Sequence, residues 1–476
     1  MRRPGLLLFL STAAAAGACG DGGGGISGPP VPRMIPGGGV GDGKISGYMN
    51  VFVIDDETDA VVSSAAVRVG ESAATTACDQ LTDSTGIASF DPQSCPLLVG
   101  PVNVTVSATG YAPSTWIGVN GRNLTVGVRS ISAPAFGSAT VYGTIAGWDA
   151  LPAPAVNHQT LAIIGASQLP GLGDRENDMA QGKRTVDVDI GGGTIYPFDI
   201  DANLCARNAL VNDCNWRLIT RTGPQAHFGI IVDHDTKGTD DVESDDTFTA
   251  IAWALKRNLS FGKGAMASGE VLDIIRDADM QSLAASFASA PSGLDYVGAL
   301  PTLELGAEGR IAIISPALDS TSLMTRVPKT TGILAGAHYD LIATARDAID
   351  KQQPVTLRWL RNVDIATTVA VSGWLPPPTA LTVSSGTYSF TPAAGATLHG
   401  AELQTPTGER RWSITIFDGS TSFTLPGLAP DPLPLGSIGY AVSALRIPDV
   451  DLTDVVFDGL ADRLTDISTD LVTYSR

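Results

Sequence analysis

Alternation between apolar and polar residues dominates the chain from residue 44 onward and predicts β-strands. In the stretch VNVTVS, residues 102–107, the three valines point to one face and the polar residues between them point to the other. Similar runs recur at short intervals, separated by Gly, Pro, Asn and Asp. This spacing predicts an all-β fold of tandem β-sandwich domains rather than βαβ units.

One segment near the end of the chain departs from this alternation. Leu452, Val455, Val456, Leu460 and Leu464 are spaced so that they share one face of a helix. The pattern therefore predicts a short C-terminal helix. We interpret it as packed on the last sheet rather than as a helix that binds a partner.

The first 43 residues show no strand-like alternation. Arg2 and Arg3 precede a short apolar run and a series of small residues, which is the layout of a secretory signal peptide (1–18). The residues AGAC that end at Cys19 resemble the lipobox of bacterial lipoproteins, and this resemblance implies that Cys19 is acylated. The Gly- and Pro-rich residues 19–43 would then form a flexible tether. An ordinary signal peptide with an incidental cysteine is the alternative.

The segment 44–130 carries a recognisable order of strands. A first strand that ends at Asp55 is followed by AAVRV (65–69), by TDSTGIASF (82–90) and by VTVSATGY (104–111). We interpret the third of these as part of a hairpin that turns at DSTG. The order resembles the carboxypeptidase regulatory-like domain, a small β-sandwich of transthyretin type. The resemblance implies an accessory module without catalytic residues.

Two further segments complete the predicted organisation. They are a central β-rich segment, 137–366, and a C-terminal β segment that includes the short helix, 367–476. The remainder of the chain is similar to uncharacterised predicted lipoproteins of predatory soil bacteria. That similarity implies a location in the cell envelope and no particular activity.

Charge excludes one class of partner. The formal net charge is -19 and the sequence pI is about 4.5. An acidic surface repels phosphate backbones, so we expect no nucleic-acid binding.

Four cysteines remain once Cys19 is assigned to the lipid. Cys78 and Cys95 are close in sequence, as are Cys205 and Cys214, and the two pairs are far apart. In an exported protein this spacing predicts two local disulfides. A four-cysteine metal site would need CxxC-type spacing, which the sequence lacks.

His338 and Asp340 are the strongest candidates for catalysis. They form an HxD pair that resembles the first metal-ligand pair of co-catalytic zinc aminopeptidases, and residues two apart on a strand share a face. That family also needs a Glu-Glu pair, which is absent downstream. We therefore favour an interpretation in which Tyr339 and Leu341 face the core while His338 and Asp340 face solvent.

An acidic loop, VDHDTKGTDDVESDD (232–246), is the candidate for metal binding. Carboxylates at alternate positions suit calcium, and the predicted ligands are Asp233, Asp235, Asp240 and Asp241. Counted from Asp233, the loop is not an EF-hand, because Lys237 stands at the fifth position and Ser244 at the twelfth. A solvated acidic hairpin loop without calcium is the alternative.

These features together predict an exported, lipid-anchored protein of the cell envelope, at the outer membrane or cell surface. The expected function is a non-enzymatic binding or adhesion module for an unknown protein or carbohydrate, and possible calcium is the one cofactor predicted. One alternative is a hydrolase, such as a metallopeptidase, that uses His338 and Asp340. A second alternative is a structural component of the envelope. Five tryptophans offer lining for a site, although burial is their commoner fate: Trp148, Trp253, Trp359, Trp374 and Trp412.

Overall fold

Strands form most of the regular structure in the computed structural model, so the chain is an all-β protein of tandem β-sandwich domains, as predicted. The structure describes residues 29–70, 78–96, 98–131, 137–168, 185–189, 195–199, 205–208, 212–238, 247–313, 322–347 and 353–476. Among these residues, no helix has the length and apolar character needed to span a bilayer.

The strands of the N-terminal part are β1 (Gly39–Gly41), β2 (Met49–Asp55), β3 (Ala66–Val69), β4 (Cys78–Leu81), β5 (Ile87–Phe90), β6 (Val102–Ser107), β7 (Tyr111–Ala112), β8 (Ser114–Val119) and β9 (Asn123–Ser130). Those of the central part are β10 (Ser138–Ala146), β11 (His158–Ala166), β12 (Thr185–Asp189), β13 (Ile195–Asp199), β14 (Cys205–Arg207), β15 (Asn212–Asp213), β16 (Trp216–Arg221), β17 (Gly223–Asp235), β18 (Thr247–Phe261), β19 (Met266–Ile275), β20 (Met280–Phe287), β21 (Tyr296–Glu304), β22 (Arg310–Ala312), β23 (Ser322–Pro328), β24 (His338–Arg346) and β25 (Val355–Leu360). Those of the C-terminal part are β26 (Thr368–Val371), β27 (Thr379–Ser384), β28 (Thr387–Thr391), β29 (Leu398–Gln404), β30 (Arg410–Ile416), β31 (Ser422–Thr424), β32 (Ser437–Arg446), β33 (Val455–Val456) and β34 (Asp466–Ser475).

Among the described residues, helical structure consists of single turns. The α-helix α1 spans Leu460–Arg463, and 3₁₀ turns occur at Trp148–Ala150, Asp277–Asp279, Gly306–Glu308 and Gly332–Leu334.

The N-terminal sandwich packs two sheets against each other. One sheet has the order β33-β1-β9-β2-β5, and the strands β8-β6-β3-β4 belong to the other. Their facing side chains form an apolar core that includes the fully buried Val51, Val67, Val104 and Val126. The valines of 102–107 therefore point inward, as the alternation predicts.

A single twelve-stranded sheet connects the three predicted β segments. Its order is β22-β21-β24-β25-β34-β32-β29-β30-β8-β6-β3-β4. The N-terminal strands join it where β8 runs parallel to β30, with Ser114 opposite Ser413 and Ile117 opposite Ile416. The last strand, β34, pairs with β32 on one side and with β25 of the central segment on the other.

Smaller sheets complete the central and C-terminal parts. The central part contains an eight-stranded sheet, β15-β14-β11-β17-β18-β19-β10-β16, the β12-β13 pair, and a three-stranded sheet, β23-β20-β26, to which the C-terminal part contributes β26. The C-terminal part adds a three-stranded sheet, β27-β28-β31, in which β31 is an edge strand. The side chains of Tyr388, Leu403 and Trp412 lie in the core beneath this small sheet.

The predicted hairpin around DSTG is wrong, although its turn is correct. The side chain of Asp83 accepts hydrogen bonds from the backbone N–H groups of Thr85 and Ile87, at 2.8 and 3.1 Å. The flanking strands do not pair with each other, because β4 pairs with β3 while β5 pairs with β2. The turn is thus a corner that passes the chain from one sheet to the other.

The C-terminal helix is shorter than its apolar face predicts. Only one turn, α1, is helical, and Val455 and Val456 belong instead to β33, which pairs with β1. Val455, Leu460 and Leu464 are buried all the same, within the N-terminal core. Burial was predicted correctly for these three residues, whereas Val456 is 49% exposed because strand pairing replaced the helix there and turned its side chain away from the core.

The part of the predicted tether that the structure describes is folded rather than flexible. Ile35 and Val40 are buried, and β1 lies between β9 and β33. Gly39 has a φ of +148°, and a Cβ at that position would stand 2.2 Å from the carbonyl oxygen of Val455. Glycine therefore serves close approach of two backbones here rather than flexibility, which is why the composition was misleading.

Both predicted disulfides are present. Cys78 is bonded to Cys95, and Cys205 is bonded to Cys214. The first closes a loop inside the N-terminal core, and the second joins β14 to the residue after β15, at one edge of the eight-stranded sheet.

Candidate functional site

The HxD pair lies close to arginine side chains. Asp340 is buried, whereas the sequence predicted that it would face solvent. Asp340 is 1% exposed, whereas the side chain of His338 is 45% exposed. One oxygen of Asp340 accepts a hydrogen bond from Arg361 at 2.7 Å, and the other accepts from the N–H of Asn362 at 2.8 Å. The predicted solvent-facing position fails because the segment after β25 folds back over this carboxylate.

A further acid stands beside the HxD pair. Glu304 lies opposite His338 on the neighbouring strand, and burial raises the pKa of its carboxyl group. Arg310 lies 3.8 Å from Glu304, and Arg361 donates to the carbonyl of Ala461 in α1. This arrangement ties the central sheet to the C-terminal helix, and a metal at Asp340 would have to displace an arginine.

Two of the four predicted calcium ligands fall within the described residues. Asp233 accepts a hydrogen bond from Nδ1 of His158 at 2.8 Å, and Asp235 forms an ion pair with Lys237. The hydrogen bond from the Lys237 side chain lowers the pKa of Asp235. Asp240 and Asp241 lie outside the described residues, so the calcium loop stays a prediction.

In the part of the chain that the structure describes, no three His, Cys, Asp or Glu side chains are arranged to hold a metal ion. The five tryptophans are all buried, between 2% and 7% exposed. They belong to the cores, which was the favoured interpretation.

A polar cleft opens where the N-terminal sandwich meets the C-terminal sheet, and we call it the interface cleft. Its volume is about 440 Å³, within the range of about 300–1,000 Å³ that is usual for small-molecule sites. Asn103 and Thr105 of β6 and Thr115 and Ile117 of β8 form its floor. These residues occupy the face of the sheet opposite to the valine core.

The wall of the interface cleft comes from the turn after β30 and from β31. It presents the hydroxyls of Ser420, Ser422 and Thr424 and the carboxylate of Asp418. Phe423, between the last two hydroxyls, is 7% exposed and stacks on Tyr388 with ring centroids 5.3 Å apart. The wall is thus a polar edge fixed to an aromatic core.

One glycine allows the floor and the wall to meet. Gly118, the last residue but one of β8, has a φ of +66°, and a Cβ there would stand 2.3 Å from the side chain of Asp418. Its N–H donates to Oδ1 of Asn103 at 3.0 Å, and Asp418 in turn accepts from the N–H of Ser420 at 2.9 Å. These bonds fix the amide and the carboxylate at one end of the cleft.

Hydrogen bonds also fix the deeper part of the floor. The hydroxyls of Thr105 and Thr115 are 3.0 Å apart, and the indole N–H of Trp412 donates to Thr115 at 2.9 Å. Both threonines are 3% exposed, so the ligand-facing polar groups are those nearer the mouth.

A second cavity lies between β29, β32 and α1. Its volume is about 70 Å³, and apolar side chains such as Leu398, Leu445 and Leu464 line it. This volume is far below the range for a small-molecule site.

Sequence reasoning did not find the interface cleft. The alternation places Asn103 and Thr105 on the polar face of a strand, but the residues that cover this face lie more than 300 positions later in the chain. A polar strand face is normally solvated, and no local signal distinguishes one that another domain overhangs.

No family model matches this chain. A search of curated proteins also found no match.

Several solved structures show a distant similarity to this chain. The Bacillus anthracis TIE protein is 9% identical over 69% of this chain, with a TM-score of 0.15, and the chain spans about half (50%) of that protein's length. A tetra-tandem repeat from the extending region of a large adhesion protein is 12% identical over 90% of this chain and 99% of its own, with a TM-score of 0.14. Two B repeat units of the Staphylococcus aureus collagen-binding protein are 11% identical over 90% of this chain and 98% of their own, with a TM-score of 0.13. Overlaps at these scores carry no argument about function.

Proposed function

We propose that this chain is an exported, lipid-anchored module of the cell envelope that binds a ligand in the interface cleft without transforming it. The observation that carries the proposal is the composition of the cleft. Among its described lining residues the one titratable side chain is Asp418, and the rest offer hydroxyls, an amide and apolar surface. Covalent or acid–base catalysis needs a nucleophile and a base in reach of each other, and this lining offers a binding surface instead.

The N-terminal residues support the anchored location. The carbonyl of Pro30, eleven positions after Cys19, accepts a hydrogen bond from Asn50 of the N-terminal sandwich at 3.3 Å. Eleven residues span at most about 40 Å even when fully extended. A lipid on Cys19 would therefore hold the N-terminal sandwich close to the membrane surface.

Replacing Cys19 by serine should abolish acylation and release the protein from the membrane. The full chain with its own leader would be produced in a Gram-negative host grown with labelled palmitate, and membrane and soluble fractions compared. We expect label on the wild type and none on Cys19→Ser. Cys78→Ser, which removes a disulfide cysteine, is the control and should remain labelled. A labelled Cys19→Ser protein would contradict the anchor.

Filling the interface cleft with Ser422→Trp should abolish ligand-dependent adhesion. Beads coated with the mature chain would be washed over surfaces that carry either neutral polysaccharides or extracellular proteins, and bead retention measured. Ser384→Trp is a matched control, since Ser384 is an exposed serine on β27 of the same three-stranded sheet and does not line the cleft. We expect retention to fall to background for Ser422→Trp and to be unchanged for Ser384→Trp. Equal retention of both variants would contradict a ligand in the cleft.

A further inference from the structure

We infer that the interface cleft recognises a neutral carbohydrate, in the form of a short stretch of an uncharged oligosaccharide or polysaccharide. This inference rests on the proposed function, since it names the ligand class of the same cleft. Charge, hydrogen-bonding capacity, apolar surface and strand geometry each bear on it.

The charge of the interface cleft disfavours anionic ligands. Its described lining contains the carboxylate of Asp418, and the one cation at its rim, Arg68 opposite Thr105, is already paired with Asp79 at 2.7 Å. The chain as a whole has a formal net charge of -19, so the surrounding field also repels anions. A single carboxylate that already accepts the Ser420 N–H is a weak site for a cation. A neutral ligand fits this balance best.

The hydrogen-bonding groups at the mouth match those of sugar hydroxyls. Asn103 uses its Oδ1 to accept from Gly118, which leaves the two N–H bonds of its amide as donors. Ser420, Ser422 and Thr424 each supply a hydroxyl that both donates and accepts. A sugar hydroxyl also donates and accepts, so the hydroxyls of a sugar can form hydrogen bonds in the cleft without burying a charge.

Apolar surface lies between these polar groups. Ile117 of the floor and Phe423 and Pro426 of the wall line the same cleft, but all three are largely buried, at 5% and 7% exposed for Ile117 and Phe423, so they contribute only a narrow apolar strip. A sugar ring has C–H groups on its faces, which need such surface when the hydroxyls at its edge are bonded. The volume of about 440 Å³ suits a short oligosaccharide.

Strand geometry argues against an extended peptide as the ligand. A peptide would add to the free edge of β31, and main-chain hydrogen bonds would supply its affinity. β31 has only three residues, and Pro426, which has no N–H, follows two positions later. So short an edge offers few main-chain bonds.

Titration calorimetry of the mature chain in detergent with neutral trisaccharides tests the inference. The probes are maltotriose, cellotriose and chitotriose, with trigalacturonate as the anionic comparison. We expect at least one neutral trisaccharide to bind and trigalacturonate not to bind. Asn103→Asp keeps the acceptor for the Gly118 N–H and removes the amide donors, so it should weaken binding about tenfold, the value of one lost hydrogen bond. Ser384→Trp should bind as the wild type does.

The outcomes separate this inference from the proposed function. If no neutral trisaccharide binds, or if Asn103→Asp and Ser422→Trp bind as well as the wild type, the carbohydrate inference is overturned. If beads are retained only on protein-coated surfaces and Ser422→Trp abolishes that retention, the ligand is a protein and the proposed function stands. If Ser422→Trp changes retention on no surface, both are overturned.

Discussion

Replacing Asp466 by asparagine should lower the free energy of unfolding by about 3 kcal/mol, the low end of the range for breaking a buried ion pair. Asp466 is fully buried, and it accepts hydrogen bonds from Arg358 at 2.9 Å and from Arg446 at 3.1 Å. Asparagine would leave two guanidinium groups without their shared counter-charge. We expect the low end because the two arginine side chains are 24% and 28% exposed, so water can partly solvate them.

The position of Asp466 makes the effect global. It begins β34, which lies between β25 and β32 in the twelve-stranded sheet, and the two arginines come from these neighbouring strands. The ion pairs therefore join the central segment to the C-terminal segment. Loss of the carboxylate should weaken both strand pairings at once.

Urea unfolding followed by tryptophan fluorescence measures the effect. The matched control is Glu409→Gln, which removes the partner of Arg411 in a pair whose side chains are 28% and 46% exposed. An exposed pair contributes about 0–1 kcal/mol, so this control should change little. A loss for Asp466→Asn no larger than that for Glu409→Gln would show that Asp466 does not hold the sheet together.

The sequence correctly predicted the features that depend on residues close together in the chain. The valines of 102–107 face a core, and the disulfide pairs are formed as their spacing indicates. Partners that are distant in sequence were out of reach. The corner at Asp83 has the turn chemistry of a hairpin. It nevertheless joins two sheets, because the strand before it pairs with β3 and the strand after it pairs with β2.

The site was harder to predict than the fold for the same reason. The alternation along β24 places Asp340 on the solvent-facing side of the strand. Arg361 and Asn362, which follow β25, nevertheless cover its carboxylate. The interface cleft exists only because β31 overhangs β6, a contact between residues more than 300 positions apart. Composition also misled where glycine allows backbones to approach, as at Gly39.

Lowering the pH from 7 to 4 should remove about 3 kcal/mol of stability through a single histidine, His227. Its side chain is fully buried, stacked on Phe261 with centroids 5.4 Å apart, and set edge-on to Trp216. Among the described residues neither ring nitrogen has a hydrogen-bond partner. Burial lowers the pKa of His227 to about 3, and the nearby charges of Lys256 and Arg221 act in the same direction.

The sign of the pH dependence follows from this lowered pKa. The unfolded chain binds a proton at His227 below a pH of about 6.5, whereas the folded chain resists protonation down to about 3. Stability at this residue is therefore complete above pH 6.5 and falls as the pH decreases through that window. At pH 4 the difference amounts to about 3 kcal/mol.

His227→Phe isolates this effect from other groups that titrate in acid. An aromatic ring of similar shape fits between Phe261 and Trp216 and leaves no unpaired nitrogen, so at pH 7 we expect equal or greater stability. Between pH 7 and pH 4 the variant should lose about 3 kcal/mol less than the wild type, measured as urea unfolding free energies. His338→Phe, at a ring that is 45% exposed, should keep the acid dependence of the wild type. Equal acid losses in the wild type and His227→Phe would show that His227 does not make the fold acid-sensitive.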